Sequence, residues 1–569
     1  MVEPLGSEVR EHSFHRFLPG VILAMGMALG LTVVTWFVCD DAFIGFRYAK
    51  HMAQGHGLRF NLGSAPPVEG FSHLLWVLIA AGVEGLGVRS PDVMPWLSVL
   101  SAAGVMWAID GHLMRRNVPD ELRVWAAFAT GLNAVFVVWG TSGLATMPHV
   151  LLCVLLFRAV QEHWSWRATA VVLLALCLIR TEGPFWALLI LLGSGWTVVP
   201  PRRVAAGVMW VLAIGGMLTL WRWSAFGSVM ANTVTAKVDL SAASLERGLA
   251  YVALWALTMG APLLLGGVAI LKRVAGKGLW IWVLGGLLFS VVSGGDYMPF
   301  FRFLLVVWPP FVLLGVNATL DMPTGRRRAL FAFTVGLGLL PLVEVHVVPA
   351  RLLNALHQVV GSKTAAFTSQ RQLLDKERQK LPRRTARARA VAAVTTPGDR
   401  LLAKGVGVLG YETELVILDR YGLVSREVAM HDAAPSLRAP GHDRLVSRSF
   451  FWEMEPDWWL AEPLFERGAG EVLQLLPHQW ALFEAVGPTI LVAELALPPQ
   501  DGDRWTPRQL LMVRPLQKGE DANQLRAAFK RDVRAAGYKV PRLEPLDPRR
   551  RARAAERLGS DYDPSESTD

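Results

Sequence analysis

Charge is scarce in this chain: only 18% of its 569 residues are Asp, Glu, Lys or Arg, while 52% are hydrophobic and the mean hydropathy is +0.35. A soluble protein of this length needs more charge to hold its surface in water, so the balance excludes a plain soluble globule and indicates a polytopic membrane protein. Cysteine is scarcer still. The three present, Cys39, Cys153 and Cys177, lie in or at the ends of apolar stretches, which excludes a disulfide framework and says nothing of function. The net charge of +10 comes largely from arginines between apolar stretches and in the tail, a pattern of topology signals and not of nucleic-acid binding. Gly405, Gly407 and Gly410 have the Gly-x-Gly-x-x-Gly spacing, but no convincing helix follows them in the sequence, so a nucleotide-loop reading is rejected.

Apolar runs are what the chain has in abundance. A crossing needs roughly 20 such residues, and runs near 17–39, 92–114, 122–140, 144–162, 166–180, 184–200, 203–224, 249–272, 278–293, 300–318 and 329–349 predict about 11 transmembrane helices. Basic clusters at Arg10/Arg16, Arg115/Arg116/Arg123, Arg167, Arg202/Arg203, Lys272/Arg273/Lys277 and Arg326/Arg327/Arg328 alternate with basic-poor turns and mark the cytoplasmic side. With an odd count, everything after Pro349 falls outside. The short apolar stretch His73–Gly87 would break that parity if it crossed, so it and the amphipathic run Phe43–Met52 read as helices in the interface. The first span has no small-residue cleavage site and reads as an uncleaved anchor.

The expected organisation is a transmembrane domain (1–349) with a first outer loop at 40–91, a basic linker helix (350–396), a soluble α/β domain (397–545) and a charged, disordered tail (546–569).

Unusual polar residues collect on the outer side of this topology. The first loop carries Asp40, Asp41, Arg47, Tyr48, His56 and Glu69; later ones carry Arg180 and Glu182, then Asn232 and Lys237, then Asp296 and Arg302. Ionisable residues at membrane depth cost on the order of 3 kcal/mol each and default to function, and several loops converging on one face predict one site. Each also has a plain structural reading: Asp40/Asp41 as helix caps, Arg180–Glu182 as a pair in a tight hairpin, Arg302 as a snorkelling end residue. A transporter is expected to place such residues in broken helices at mid-membrane instead.

The run Asp40-Asp41-Ala42-Phe43-Ile44-Gly45-Phe46-Arg47-Tyr48, with Gly55-His56-Gly57, Val68-Glu69-Gly70-Phe71-Ser72, Ser142-Gly143-Leu144, Arg180-Thr181-Glu182-Gly183, Asn232-Thr233, Lys237, Gly294-Gly295-Asp296 and Arg302-Phe303, resembles the bacterial GT-C glycosyltransferases. Within them it is most similar to the mycobacterial terminal β-arabinofuranosyltransferase family. Val416–Leu423, Pro440-Gly441-His442 and Pro456-Asp457-Trp458 extend the likeness into the soluble part. Two departures stand out: Ala145 replaces an acidic residue after Ser-Gly-Leu, and Ala231 replaces the proline before Asn-Thr.

The resemblance implies a GT-C-like membrane protein of the bacterial inner membrane with a periplasmic C-terminal α/β domain. Its activity is the inverting transfer of a sugar, with arabinofuranose one candidate, from a polyprenyl-phosphate donor to a cell-envelope glycan or lipid-glycan. On that reading Asp40, then Asp41, is the base that takes the acceptor hydroxyl's proton. Arg47, Arg180, Lys237 and Arg302 stabilise the leaving phosphate, while Tyr48, His56, Glu69, Glu182, Asn232 and Asp296 bind substrate or hold those cations. His442 and Trp458 are expected near the acceptor. A divalent ion, Mg2+ or Mn2+, on Asp40 and Asp41 is compatible with the pair but not required by it. The missing acid at Ala145 motivates a rival reading, a catalytically silent glycan-binding or assembly protein.

Overall fold

The computed structural model describes residues 7–63, 66–195, 198–237, 241–344, 369–393, 395–431 and 454–461, the strand segments 472–474, 490–496, 509–515 and 542–544, and isolated positions within 446–451 and 521–535. The chain folds first into α1 (Ser7–Val34), α2 (Asp40–Ala53), α3 (Leu74–Gly85), α4 (Ser90–Arg115), α5 (Asp120–Gly131), α6 (Ala134–Trp139), α7 (Thr146–Gln161) and α8 (Trp166–Ile179). There follow α9 (Gly183–Gly195), α10 (Pro201–Phe226), α11 (Asn232–Lys237), α12 (Ala242–Met259), α13 (Ala261–Leu271) and α14 (Lys277–Val292). A 3-10 segment, Pro299–Val307, then runs into α15 (Trp308–Thr319), followed by α16 (Thr324–Leu339).

This is a multi-pass membrane protein. Among the described residues, α4, α10 and the continuous Pro299–Thr319 are long and apolar enough to cross a bilayer, and α12 with α13 makes a fourth if a 90° bend is allowed within one span. Two of the expected spans are therefore broken. The run at 249–272 turns at Gly260, whose φ of 60° favours glycine, ahead of Pro262. The run at 122–140 stops at Leu132 and restarts as α6, where the Asn133 side chain accepts the N–H of Val135 at 3.0 Å. Hydropathy averages over such breaks. At 12–16 residues, α3, α7, α8, α9 and α14 are roughly 18–24 Å long, short of a hydrocarbon core of about 30 Å, so helix length alone does not reach eleven spans.

The connector is α17 (Gln370–Ala392), opened by a capping box in which Ser369 and Gln372 satisfy each other's backbone N–H. It is no free linker. Leu374, Ala388 and Val391 are buried, and the Gln370 side chain accepts the N–H of Phe300 at 2.5 Å.

Beyond it lie β1 (Arg400–Ala403), α18 (Val406–Glu412), β2 (Val416–Asp419), α19 (Arg426–Ala429), β3 (Trp458–Ala461), β4 (Val472–Gln474), β5 (Ile490–Ala496), β6 (Gln509–Pro515) and β7 (Arg542–Glu544). Five strands form a mixed sheet of order β2-β1-β3-β6-β5, parallel around β1 and antiparallel at β3-β6-β5, and β4 pairs with β7 separately. The β1-α18-β2 crossover lays α18 on α2. Val406, Leu409, Tyr411, Leu423 and Val424 belong to the same apolar core as Phe43, Phe46 and Phe71, so α18 and the loop after β2 pack directly against the helices.

Candidate active site

A cavity of about 240 Å³ opens where the first turn of α2, the loop Gly70–His73, the α8–α9 turn, α11, the end of α14 and the start of the 3-10 segment converge. Local sequence brings each piece there. Asp40 and Asp41 occupy the first turn of α2, where the helix dipole favours carboxylates. The α8–α9 turn is clamped to the first loop by Thr181, whose N–H donates to the Ser72 carbonyl at 2.8 Å. Gly294 and Gly295, with φ of 71° and 78°, make the turn that delivers Asp296. Phe300 and Phe301 hold left-handed φ of 54° and 48° just before Arg302, backbone strain of the kind found at working sites.

Three cation–carboxylate pairs ring the cavity. Lys237 Nζ lies 3.4 Å from Asp41, Arg302 Nε lies 2.7 Å from Asp296, and Arg180 Nε donates to Glu182. The Arg302 guanidinium also sits 5.4 Å from the ring centre of Trp139 and 5.1 Å from that of Phe303. Burial alone pushes the Glu182 carboxyl up, but Arg180 beside it outweighs that and holds it below the ordinary range. Between the charges the walls are apolar, from Ile44, Phe71, Leu144, Phe289, Phe303 and Leu423. Such walls strengthen every charge interaction made between them. A site with three cations and three carboxylates is neutral when empty and can take a phosphate anion by exchanging it for a carboxylate on one of the cations.

The structure brings Asp41, Arg180, Glu182, Lys237, Asp296 and Arg302 together at this cavity and places the remaining candidates elsewhere. Asp40, the first choice as base, does not line it: Arg384 lies 2.8 Å from its carboxylate, which also accepts the N–H groups of Val408 and Gly407 at 3.0 and 3.3 Å. Successive helix residues point about 100° apart, and of the two aspartates Asp41 is the one that faces the cavity. Arg47 is a buried strut, donating to the carbonyls of Phe60, Leu415 and Gly410 at 2.5, 2.6 and 2.7 Å. The Tyr48 hydroxyl donates to the Val68 carbonyl and accepts the Gly70 N–H. Glu69 pairs with Arg222 at 2.9 Å, and the Asn232 amide donates to the carbonyls of Gly422 and Leu423. His56 sits in an exposed turn. Trp458 is buried in the sheet with its indole N–H on Asp399, leaving no open face for a sugar. His442 lies outside the described residues.

Other residues emerge only in three dimensions. His73 lines the cavity, packed so close to α2 that a Cβ on Gly45 would sit 2.6 Å from its Nε2. Burial, then Arg180 and Arg302, push its imidazole down to about 3 and keep it neutral. Arg247 donates to the Gly294 carbonyl and steadies the turn before Asp296. Arg222, an ionisable residue within an apolar run, was a visible signal; Arg384, one basic residue among many in the connector, was not.

Asp40 and Asp41 do not fit a divalent ion. Their carboxylates diverge onto Arg384 and Lys237, and no group of three or more His, Cys, Asp or Glu side chains among the described residues is arranged to hold a metal.

Residues 371–506 match a sequence family described as "Domain of unknown function (DUF8728)". No curated protein matches the chain. Solved structures do: ArnT from Cupriavidus metallidurans bound to undecaprenyl phosphate aligns over 88% of this chain and 99% of its own, with a TM-score of 0.53 at 13% identity. The apo state of the same protein aligns over 87% and 98%, with a TM-score of 0.50 at 13% identity. At this identity the likeness establishes a shared fold.

Proposed function

We propose that the chain is an inverting membrane glycosyltransferase that moves a sugar from a polyprenyl-phosphate donor onto a hydroxyl of an envelope glycan on the outer face of a bacterial inner membrane. The observation that carries this is the cavity itself, in which Asp41 and the cations Arg180, Lys237 and Arg302 meet inside a GT-C fold. The undecaprenyl phosphate bound to ArnT supports the donor class. Arabinofuranose is the sugar suggested by the motif resemblance, and the outward placement of the α/β segment follows from the charge pattern of the loops.

The chemistry follows from the geometry. The acceptor hydroxyl approaches Asp41, which takes its proton as the oxygen attacks the anomeric carbon from the face opposite the phosphate. The bond from that carbon to the phosphate oxygen breaks and its electron pair leaves with the polyprenyl phosphate. That leaving group is already weakly basic, so it needs charge compensation and not a proton, and Arg180, Lys237 and Arg302 supply it. Neutral His73 and the carboxylates Glu182 and Asp296 remain to bind sugar hydroxyls. Ala145, fully buried beside the lining residue Leu144, contributes nothing to this scheme.

The test is transfer by purified protein in lipid, using a panel of radiolabelled polyprenyl-phosphate sugars with envelope glycan as acceptor. Transfer by wild type and its loss in Asp41→Asn is the expected result. Donor binding without transfer from any sugar would point instead to a silent glycan-binding protein.

A further inference from the structure

The carboxylate of Asp40 is 9% exposed and engages three donors from a distant part of the chain: the Arg384 guanidinium and the backbone N–H groups of Gly407 and Val408. A buried ion pair is costly unless further hydrogen bonds complete it, and here two backbone donors do so. The surroundings are built for the contact. Gly405 takes the left-handed φ of 63° and leaves Arg384 room, since a Cβ there would sit 3.2 Å from the guanidinium. Gly407 approaches α2 so closely that a Cβ would lie 1.9 Å from the Asp40 carbonyl oxygen. Further along, Arg387 donates to the Lys404 carbonyl at 3.0 Å and fixes α17 against the same turn.

Asp40 immediately precedes Asp41 on one helical turn, so whatever fixes one carboxylate sets the rotation of α2 and the direction of the other. Arg47 holds the middle of α2 to the Gly410 and Leu415 carbonyls. Asp40 holds its first turn. We propose that Arg384, with the Gly407–Val408 backbone, is a positioning latch through which the segment resembling a domain of unknown function orients Asp41 into the cavity. Arg384 is on this view a positioning residue that acts through Asp40. Its kinetic consequence rests on the glycosyl-transfer reading above; its structural consequence does not.

The experiment compares full-length wild type, Arg384→Gln, Arg384→Lys and Gly407→Ala in lipid nanodiscs, with two readouts. Hydrogen–deuterium exchange over Asp40–Ile44 is expected to rise in Arg384→Gln and Gly407→Ala and to stay near wild type in Arg384→Lys. Transfer assays are expected to show kcat falling about 10- to 100-fold in Arg384→Gln, as a small misplacement of a reacting group costs, with the donor KM within about twofold and most of the rate restored by lysine. Unchanged exchange in Arg384→Gln overturns the latch whatever the activity, and so does a variant whose melting temperature falls while kcat holds. If wild type transfers no sugar, the glycosyltransferase reading fails and the exchange data alone decide the latch. If Arg384→Gln does not fold, Asp40→Asn, which keeps the side chain's shape and removes the ion pair, decides it by the same exchange readout: a rise over Asp40–Ile44 supports the latch and unchanged exchange overturns it.

Discussion

Lys237 Nζ lies 3.4 Å from Asp41 Oδ2, linking α11 to the first turn of α2 across the cavity. The pair joins the proposed base to a proposed phosphate ligand, so the two positions respond differently to substitution. Asp41→Asn removes the proton acceptor and is expected to lower kcat by about 10²- to 10⁴-fold. Lys237→Met removes charge compensation for the donor and is expected to raise its KM about tenfold while kcat falls less. Steady-state kinetics with both substrates varied separates the two, and equal effects on kcat and KM in both variants would contradict the division of roles.

Arg47 is expected to matter for stability and not for donor binding. Its guanidinium serves three carbonyls, on Phe60, Gly410 and Leu415, and packs 4.6 Å from the Phe60 ring centre. Arg47→Met strands those acceptors, at a cost of about 3 kcal/mol or more. Arg47→Lys restores little, because a point charge on a flexible stem cannot reproduce the fork. Thermal unfolding in detergent reads the loss, and donor titration of the folded fraction should give an unchanged affinity.

The sequence carried part of this site and concealed the rest for a physical reason. Asp41, Arg180, Glu182, Lys237, Asp296 and Arg302 sit at the ends of apolar runs, where an ionisable group needs a reason to be, and they share one cavity. Arg47, Glu69 and Asn232 look equally unusual in the sequence, yet each is spent on a partner far along the chain: Gly410 and Leu415, Arg222, and Gly422 with Leu423. Patterns of residue type show that a polar side chain must be satisfied; they do not show by what. The same blindness favoured Asp40 over Asp41, since adjacent carboxylates read alike until Arg384 claims one. In the fold, hydropathy found the apolar runs but not the turns at Asn133 and Gly260, because a window of roughly 20 residues smooths over a single glycine or asparagine.

Asn61 and Ile417 make a two-way contact that joins the α2–α3 loop to β2, an edge strand of the sheet among the described residues. The Asn61 amide donates to the Ile417 carbonyl at 2.8 Å and its oxygen accepts the Ile417 N–H at 2.9 Å, as a neighbouring strand would. Asn61→Asp keeps the acceptor but turns the donor into a second acceptor facing a carbonyl. It is expected to cost about 1–3 kcal/mol, with hydrogen exchange rising first along Val416–Asp419. Exchange confined to other segments would show that the edge is held by something else.

Asp419 gives the loop between β2 and α19 a pH dependence of definite sign. Its carboxylate accepts the N–H groups of Tyr421 and Val424 and so shapes the loop that puts Leu423 into the cavity wall. Burial nonetheless outweighs those bonds and pushes its carboxyl up to about 6. The folded protein then keeps this proton to higher pH than the unfolded chain does. The resulting stabilisation is complete below about pH 4, declines as pH rises, and is gone above about pH 6. A shift of roughly two units corresponds to about 3 kcal/mol. Asp419→Asn cannot titrate, and its amide can accept only one of the two N–H groups. Melting curves between pH 4.5 and 7 should therefore show wild type losing stability across the window, while the variant, less stable at the acidic end, stays flat by comparison. Parallel curves would mean that Asp419 is ionised throughout and that its two backbone donors, not burial, set its proton affinity.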